Sequence, residues 1–160
     1  MKTDSKPMPK APDFSLLDQD GVTKSLGDFK GNWLVLYFYP KDDTPGCTTE
    51  ACNFRDARDV IAASGDVAVV GVSKDSVKSH KKFVDKHRLN FILLSDPDHK
   101  VIAAYNSWKP QKFAGREFTG TKRNTFIINP DGCIVKMYEG VDPQEHVLEI
   151  LQDLGKLRRT

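Results

Sequence analysis

Residues 33–52 read WLVLYFYPKDDTPGCTTEAC. Trp33–Tyr39 is apolar almost without interruption, the pattern of a strand covered on both faces. Pro40 to Gly46 is a polar loop rich in turn formers, and a helical pattern follows through the segment that Gly65 would stop. A buried strand that feeds a helix through a short loop is the repeating unit of an α/β sheet. The carboxyl ends of such strands are where these sheets hold their chemistry. Cys47 stands in the first turn of the helix, and Cys52 follows five residues later.

Working outward, the segment DFSLLDQDGVTKSL before this unit reads as a hairpin turning at Gln19-Asp20-Gly21. After it come a buried strand, VAVVGVS (67–73), and a helix with Asp75 or Ser76 as N-cap and Val77, Phe83 and Val84 on its apolar side. FILLSD is a further short strand, and PDHKVIAAYN a helix begun by Pro97. Residues 107–122, rich in Gly, Lys and Pro, read as irregular. NTFIINPDGCIVKMYEG is a second hairpin with its turn at 129–132, and an amphipathic helix from Pro143 to Leu157 carries Val147, Leu148, Leu151 and Leu154 on one stripe. The order predicts an α/β chain with a thioredoxin-like fold, a mixed central sheet flanked by helices, and an N-terminal β-hairpin. Residues 1–160 are expected to form a single domain, with 1–10 as its candidate flexible extension.

Composition removes several function classes. A net charge of +2 supplies no global field for nucleic acid or an anionic membrane. KSHKKF near residue 80 and GKLRRT at the end read as solvated surface. No apolar run approaches the ~20 residues that span a bilayer, and the first residues lack a signal peptide's apolar core. The expectation is therefore a cytoplasmic protein, where cysteines are judged by reactivity or metal binding rather than as structural bridges. The three cysteines with His80, His87, His99 and His146 match no compact zinc spacing, and each histidine lies in a polar segment expected to be exposed.

Cys47 meets the orphan N–H groups and the positive end of a helix, so it should ionise below the ~8.5 of a free thiol. Pro40, Thr44 and Cys47 form the pattern Pro-x-x-x-Thr-x-x-Cys, which resembles the signature of the peroxiredoxins. Glu50 and Cys52 resemble the subgroup known as bacterioferritin comigratory protein or peroxiredoxin Q. The likeness runs from about Pro12 to the last helix through VVGVSKDS, LLSDPDHKVIAAY and RNTFIINPDG. It implies a thiol peroxidase acting on hydrogen peroxide or organic hydroperoxides, reduced in turn by thioredoxin or a similar dithiol, with no cofactor or metal. By position it implies Cys47 as the peroxidatic thiol, Cys52 as the resolving one, and Pro40, Thr44 and Arg123 completing the site, with Glu50 as support.

The residue types suit that chemistry. Complete ionisation of a thiol of pKa ~8.5 raises its thiolate fraction only about 30-fold at neutral pH, and a less basic thiolate is a poorer nucleophile. Donors placed around the reacting oxygens contribute more, roughly 10²–10³ each. Arg123, the Cys47 N–H and the Thr44 hydroxyl are the expected donors. Rival readings stay open: Lys122 competes with Arg123, Glu50 could be a solvated carboxylate, Thr44 an N-cap, Pro40 a strand end and Cys52 a core thiol. Trp108 and Phe113 could line a substrate-access surface or simply pack. Cys133 matches no motif.

Five residues along an α-helix separate two Cα atoms by roughly 8.7 Å, whereas a disulfide needs less than about 7 Å. Cys47 and Cys52 therefore cannot join while the helix is intact, and a bridge between them requires its first turns to unwind. A pair within one helix needs no second subunit, so a monomer suffices. A redox sensor that uses the same oxidation to signal is the competing function; it would oxidise once rather than turn over.

Overall fold

The computed structural model describes residues 9–63 and 66–158. Residues 1–8 of the expected extension, and Gly65 as a helix stop, lie outside them. Pro9 and Lys10 are not loose: Lys10 bridges Cys133, and Ile134 N–H donates to Pro9 O at 2.8 Å.

The N-terminal hairpin is present, β1 (Ser15–Asp18) pairing antiparallel with β2 (Thr23–Ser25). Asp18 Oδ1 accepts from the N–H groups of Asp20 and Val22, and Gly21 supplies the φ of +76° that the turn needs. Then follow β3 (Trp33–Phe38), α1 (Pro45–Ala63), β4 (Val67–Ser73), α2 (Val77–His87), β5 (Ile92–Ser95) and α3 (Lys100–Ala104). The chain continues with β6 (Trp108–Phe113), β7 (Arg116–Thr121), β8 (Thr125–Ile128), β9 (Ile134–Tyr138) and α4 (His146–Arg158).

Seven strands form one mixed sheet in the order β2-β1-β5-β4-β3-β8-β9. Strands β3, β4 and β5 run parallel, while β1 and β8 join them antiparallel. Alternation along β3 splits its residues between two cores. Val35, Tyr37 and Tyr39 face Phe54 and Ile61 of α1, Phe83 of α2 and Ile150 of α4. Leu34, Leu36 and Phe38 face Phe14, Phe29, Ile102 and Tyr105 on the other side. This two-sided burial is why the strand reads as continuously apolar.

Three expectations need correction. Residues 107–122 are not irregular: β6 and β7 form a separate two-stranded antiparallel hairpin. Its turn is Ala114-Gly115, both at positive φ (52° and 79°), as a tight hairpin requires. Most of its side chains face solvent, so no buried alternation marked it in the sequence. Helix α3 starts at Lys100 rather than at Pro97, because His99 takes a left-handed φ of 49° and Asp96 Oδ2 accepts from Ile102 N–H. In α4 it is Val147, Ile150 and Leu154 that are buried, and Leu148 is 66% exposed.

Candidate active site

The antiparallel entry of β8 beside β3 brings the site together. Because β8 starts where β3 ends (Tyr37 opposite Thr125), the loop before β8 lies against the loop after β3. Asn124 holds the junction: its carbonyl accepts from Phe38 N–H, its Nδ2 donates to Ser107 Oγ, and its Oδ1 accepts from Gly140 N–H. Arg123, next to it, is thereby aimed at the start of α1. Asn124 and Ser107 were not singled out from the sequence, since their partners lie 86 and 17 positions away for the first two contacts.

Cys47 is the third residue of α1 and only 1% exposed. Arg123 Nη2 donates to its Sγ at 3.2 Å, and Nη1 donates to Glu50 Oε1 at 3.2 Å. One guanidinium thus bridges a thiol and a carboxyl group that lie three residues apart on the same helix. Lys122 does not take this place; its side chain lines a groove with Lys109, Pro110, Met137 and Glu139. Gly46 is required by the approach of Arg123, because a Cβ there would stand 2.7 Å from Nη2. Pro40, half-buried, ends the strand. Thr44 donates its hydroxyl proton to Lys41 O at 2.9 Å, and its carbonyl accepts from Thr48 N–H at 2.8 Å. With its proton committed, the hydroxyl offers lone pairs and not the donor expected from sequence. Trp108 packs face to face on His99 with ring centroids 4.0 Å apart, and Phe113 stands at the hairpin tip, 76% exposed.

Glu50 is fully buried, and its Oε2 has no hydrogen-bond partner among the described residues. Burial pushes its pKa from an ordinary 4.5 up to about 7, against the opposing pull of Arg123. Below that value Glu50 is neutral, which leaves the Arg123 charge available to an anion at Sγ. Folding stability carries the same signature. The folded protein keeps the Glu50 proton up to about pH 7, while the unfolded chain releases it near 4.5. The folded state binds the extra proton between those values, so stability falls as pH rises through them, by about 3 kcal/mol in total. Urea unfolding of Glu50→Gln is expected to lack this component; an unchanged slope against pH would show that Glu50 ionises normally.

Cys52 is half-buried on the unbroken helix α1, and all three cysteines are free thiols. Cys133 lies where the chain enters β9, bridged to Lys10, and is no part of the cluster. The expectation that every histidine is exposed is wrong. His80 is 0% and His146 2% exposed, His80 on the apolar side of α2 between Val77 and Phe83. That spacing of three residues to either side was the available signal. Among the described residues no helix is long and apolar enough to cross a membrane.

The profile of the AhpC/TSA family matches residues 8–137. Peroxiredoxin Bcp of Bacillus subtilis is 48% identical over 145 residues, covering 91% of this chain and 92% of that protein. The solved Xanthomonas campestris bacterioferritin comigratory protein, studied for its alkyl peroxide reduction activity, superposes with a TM-score of 0.84 at 35% identity, covering 89% of this chain and 90% of its own. Xylella fastidiosa PrxQ gives a TM-score of 0.86 at 33% identity over 96% of this chain and 99% of its own.

Proposed function

Because the chain belongs to the AhpC/TSA family, and within it to the Bcp and PrxQ peroxiredoxins, we propose that Cys47 is its peroxidatic thiol and Cys52 its resolving thiol, with Arg123, Thr44 and Pro40 completing the site. The activity of the family is that of a thiol peroxidase, in which a hydroperoxide is reduced and a thiol reductant oxidised. The observation that carries the residue assignment is the 3.2 Å contact from Arg123 Nη2 to Cys47 Sγ at the helix start.

The Cys47 thiolate attacks the terminal oxygen of the hydroperoxide. The S–O bond forms as the O–O bond breaks, and the leaving alkoxide or hydroxide takes a proton to become alcohol or water. Negative charge moves from sulfur to the leaving oxygen. Arg123 follows that charge, since one guanidinium faces Sγ and can donate to the incoming oxygens. Thr44, its own proton given to Lys41 O, accepts from the hydroperoxide O–H and orients it. Pro40, half-buried after the end of β3, is assigned the role of keeping water from the sulfur. Glu50 fixes the other edge of the guanidinium.

Cys47 sulfenic acid then condenses with the Cys52 thiol, giving a disulfide and water. The helical separation of roughly 8.7 Å exceeds the disulfide limit, so α1 must unwind at its N-terminal end first. Two thiols of an external dithiol, thioredoxin or one like it, reduce the bridge and reset the helix. Hydrogen peroxide and organic hydroperoxides both fit this chemistry. The pair is complete in one chain, so the cycle runs in a monomer and in a reducing compartment such as the cytoplasm.

Cys52→Ser tests the division of labour. In single turnover it should consume one equivalent of hydroperoxide at the wild-type rate, then accumulate sulfenic and, with excess oxidant, sulfinic acid on Cys47, as read by mass. Loss of the first turnover in a folded Cys52→Ser protein would overturn the roles. Sustained turnover with a dithiol in the wild type separates an enzyme from a sensor that oxidises once.

A further inference from the structure

The loop between β3 and α1 is held from behind by a buried polar network that the chemistry above does not use. Asp42 lies in that loop, 7% exposed. Its backbone N–H donates to Asp75 Oδ2 at 2.8 Å, and its Oδ1 accepts from the Tyr39 hydroxyl at 2.5 Å. Its Oδ2 accepts from Ser79 Oγ at 2.8 Å and faces His80 Nδ1 at 2.7 Å. The far nitrogen of the same ring, Nε2, lies 2.9 Å from Leu94 O. A carbonyl only accepts, so Nε2 carries a hydrogen, and a further proton is shared between Nδ1 and Asp42 Oδ2. Ser73 Oγ and Ser95 Oγ donate to Asp75, which ties the network to the ends of β4 and β5.

Asp42, Asp75 and His80 gather within 4.8 Å of one another, as metal ligands also do. The 2.7 Å between Asp42 Oδ2 and His80 Nδ1 is a hydrogen bond, however; two ligands about a tetrahedral zinc stand roughly 3.3 Å apart. The next residue, Asp43, turns the chain at φ +59° and pairs outside with Lys86 at 2.7 Å and His87 at 3.1 Å. Two adjacent aspartates therefore fasten the loop to both ends of α2. Among the described residues, no partner of either lies in α1. Within α1, Asn53 Nδ2 donates to Pro143 O and Gln144 O, and Arg55 Nη1 to His87 O.

We propose that Asp42 and His80 are positioning residues for the peroxide step: their proton-bridged pair sets the place of Pro40 and Thr44 and stays closed while α1 opens between this latch and Asn53. The proposal rests on Cys47 as the peroxidatic thiol. It gives a reason for a buried charged residue in a loop that also has to survive the unwinding of its neighbour. The peroxide-orienting half of the site is built on α2 and the sheet, and only residues 45–52 move.

The test combines first-turnover rates with amide exchange. Asp42→Ala is expected to slow hydroperoxide reduction about 10–100-fold, the cost of misplacing a reacting geometry by about 1 Å. Asp42→Asn should recover most of that rate, because an amide can donate to Nδ1 of a neutral imidazole and still accept from Tyr39. Alkylation of Cys47 by iodoacetamide, which needs no aligned oxygen, should change far less than the peroxide rate. On oxidation, amide exchange should accelerate within 45–52 while the Asp42 and Asp43 amides keep their protection. A folded Asp42→Ala protein with the wild-type rate overturns the proposal, as does Asp42→Asn slowed equally, or exchange that accelerates at 42–43 as much as at 47–52. If Asp42→Ala does not fold, His80→Phe removes the shared proton while Tyr39 and Ser79 still donate to the carboxylate; an unchanged rate there overturns it too. Cys47→Ser separates the two readings. Hydroperoxide reduction surviving that change removes the site assignment itself, whereas an inert Cys47→Ser beside a fast Asp42→Ala removes only the latch.

Discussion

Cys47→Ser is expected to abolish hydroperoxide reduction while the protein stays folded. The hydroxyl is smaller than the thiol and enters a nearly closed space, the cysteine being 1% exposed. An unpaired hydroxyl there would cost about 1–3 kcal/mol, but Arg123 Nη2, 3.2 Å from the sulfur, can donate to it. Stability therefore changes little. Reactivity is lost because the serine hydroxyl stays protonated and oxygen does not take up a second oxygen from a peroxide as sulfur does. Hydroperoxide consumed per protein, followed with unfolding in urea, measures both. Consumption persisting in a folded Cys47→Ser protein would move the chemistry to Cys52 or Cys133.

The second large effect concerns Arg123. Arg123→Gln should slow the peroxide step by roughly 10²–10³, the usual consequence of removing a preorganised donor. The same side chain can be displaced without being changed. In Gly46→Ala the new Cβ meets Arg123 Nη2 at 2.7 Å, the far end of a flexible side chain, so the guanidinium gives way rather than the backbone. Alanine is also the better helix former, by about 1 kcal/mol. Gly46→Ala should thus unfold no more easily than wild type yet react at least about 10-fold more slowly with hydroperoxide. A Gly46→Ala protein as fast as wild type would show that the alignment of the guanidinium, as distinct from its charge, does not govern the step.

The Asp42 latch bears on how such a cycle keeps its geometry. A helix that has to unwind is a poor place to store the position of substrate-orienting groups. Here Cys47 and Glu50 are on the helix, while Pro40 and Thr44 precede it and Arg123 approaches from β8. In the proposed cycle the unwinding segment would carry the sulfur away from a frame fastened to α2, β4 and β5.

What could be read from the sequence was what one segment dictates by itself. The apolar run of β3, the helix start at Cys47, the hairpin at Gln19-Asp20-Gly21 and the five-residue separation of the thiols depend on spacing within a few turns or residues. The 107–122 hairpin escaped because its strands bury little and so leave no periodic trace. Of the candidate site, Cys47, Thr44 and Pro40 were named together from one short motif that resembles the peroxiredoxin signature. Arg123 could be named only with a rival beside it, because nothing local tells which of two neighbouring cations reaches a sulfur 76 positions earlier in the chain. The pairing of β8 with β3 makes that choice, and it also brings Glu50 into the same guanidinium. Asp42 looks like ordinary loop surface, and the spacing that puts His80 on the apolar side of α2 does not name its partner; the packing of α2 sets the two, 38 positions apart, against each other. Chain-local geometry determined the candidate thiol at the helix start and the distance that separates it from Cys52. Which charges meet at the thiol, and that Asp42 and His80 meet behind its loop, depended on strand order and helix packing, since those contacts join segments whose separation in sequence carries no spacing to read.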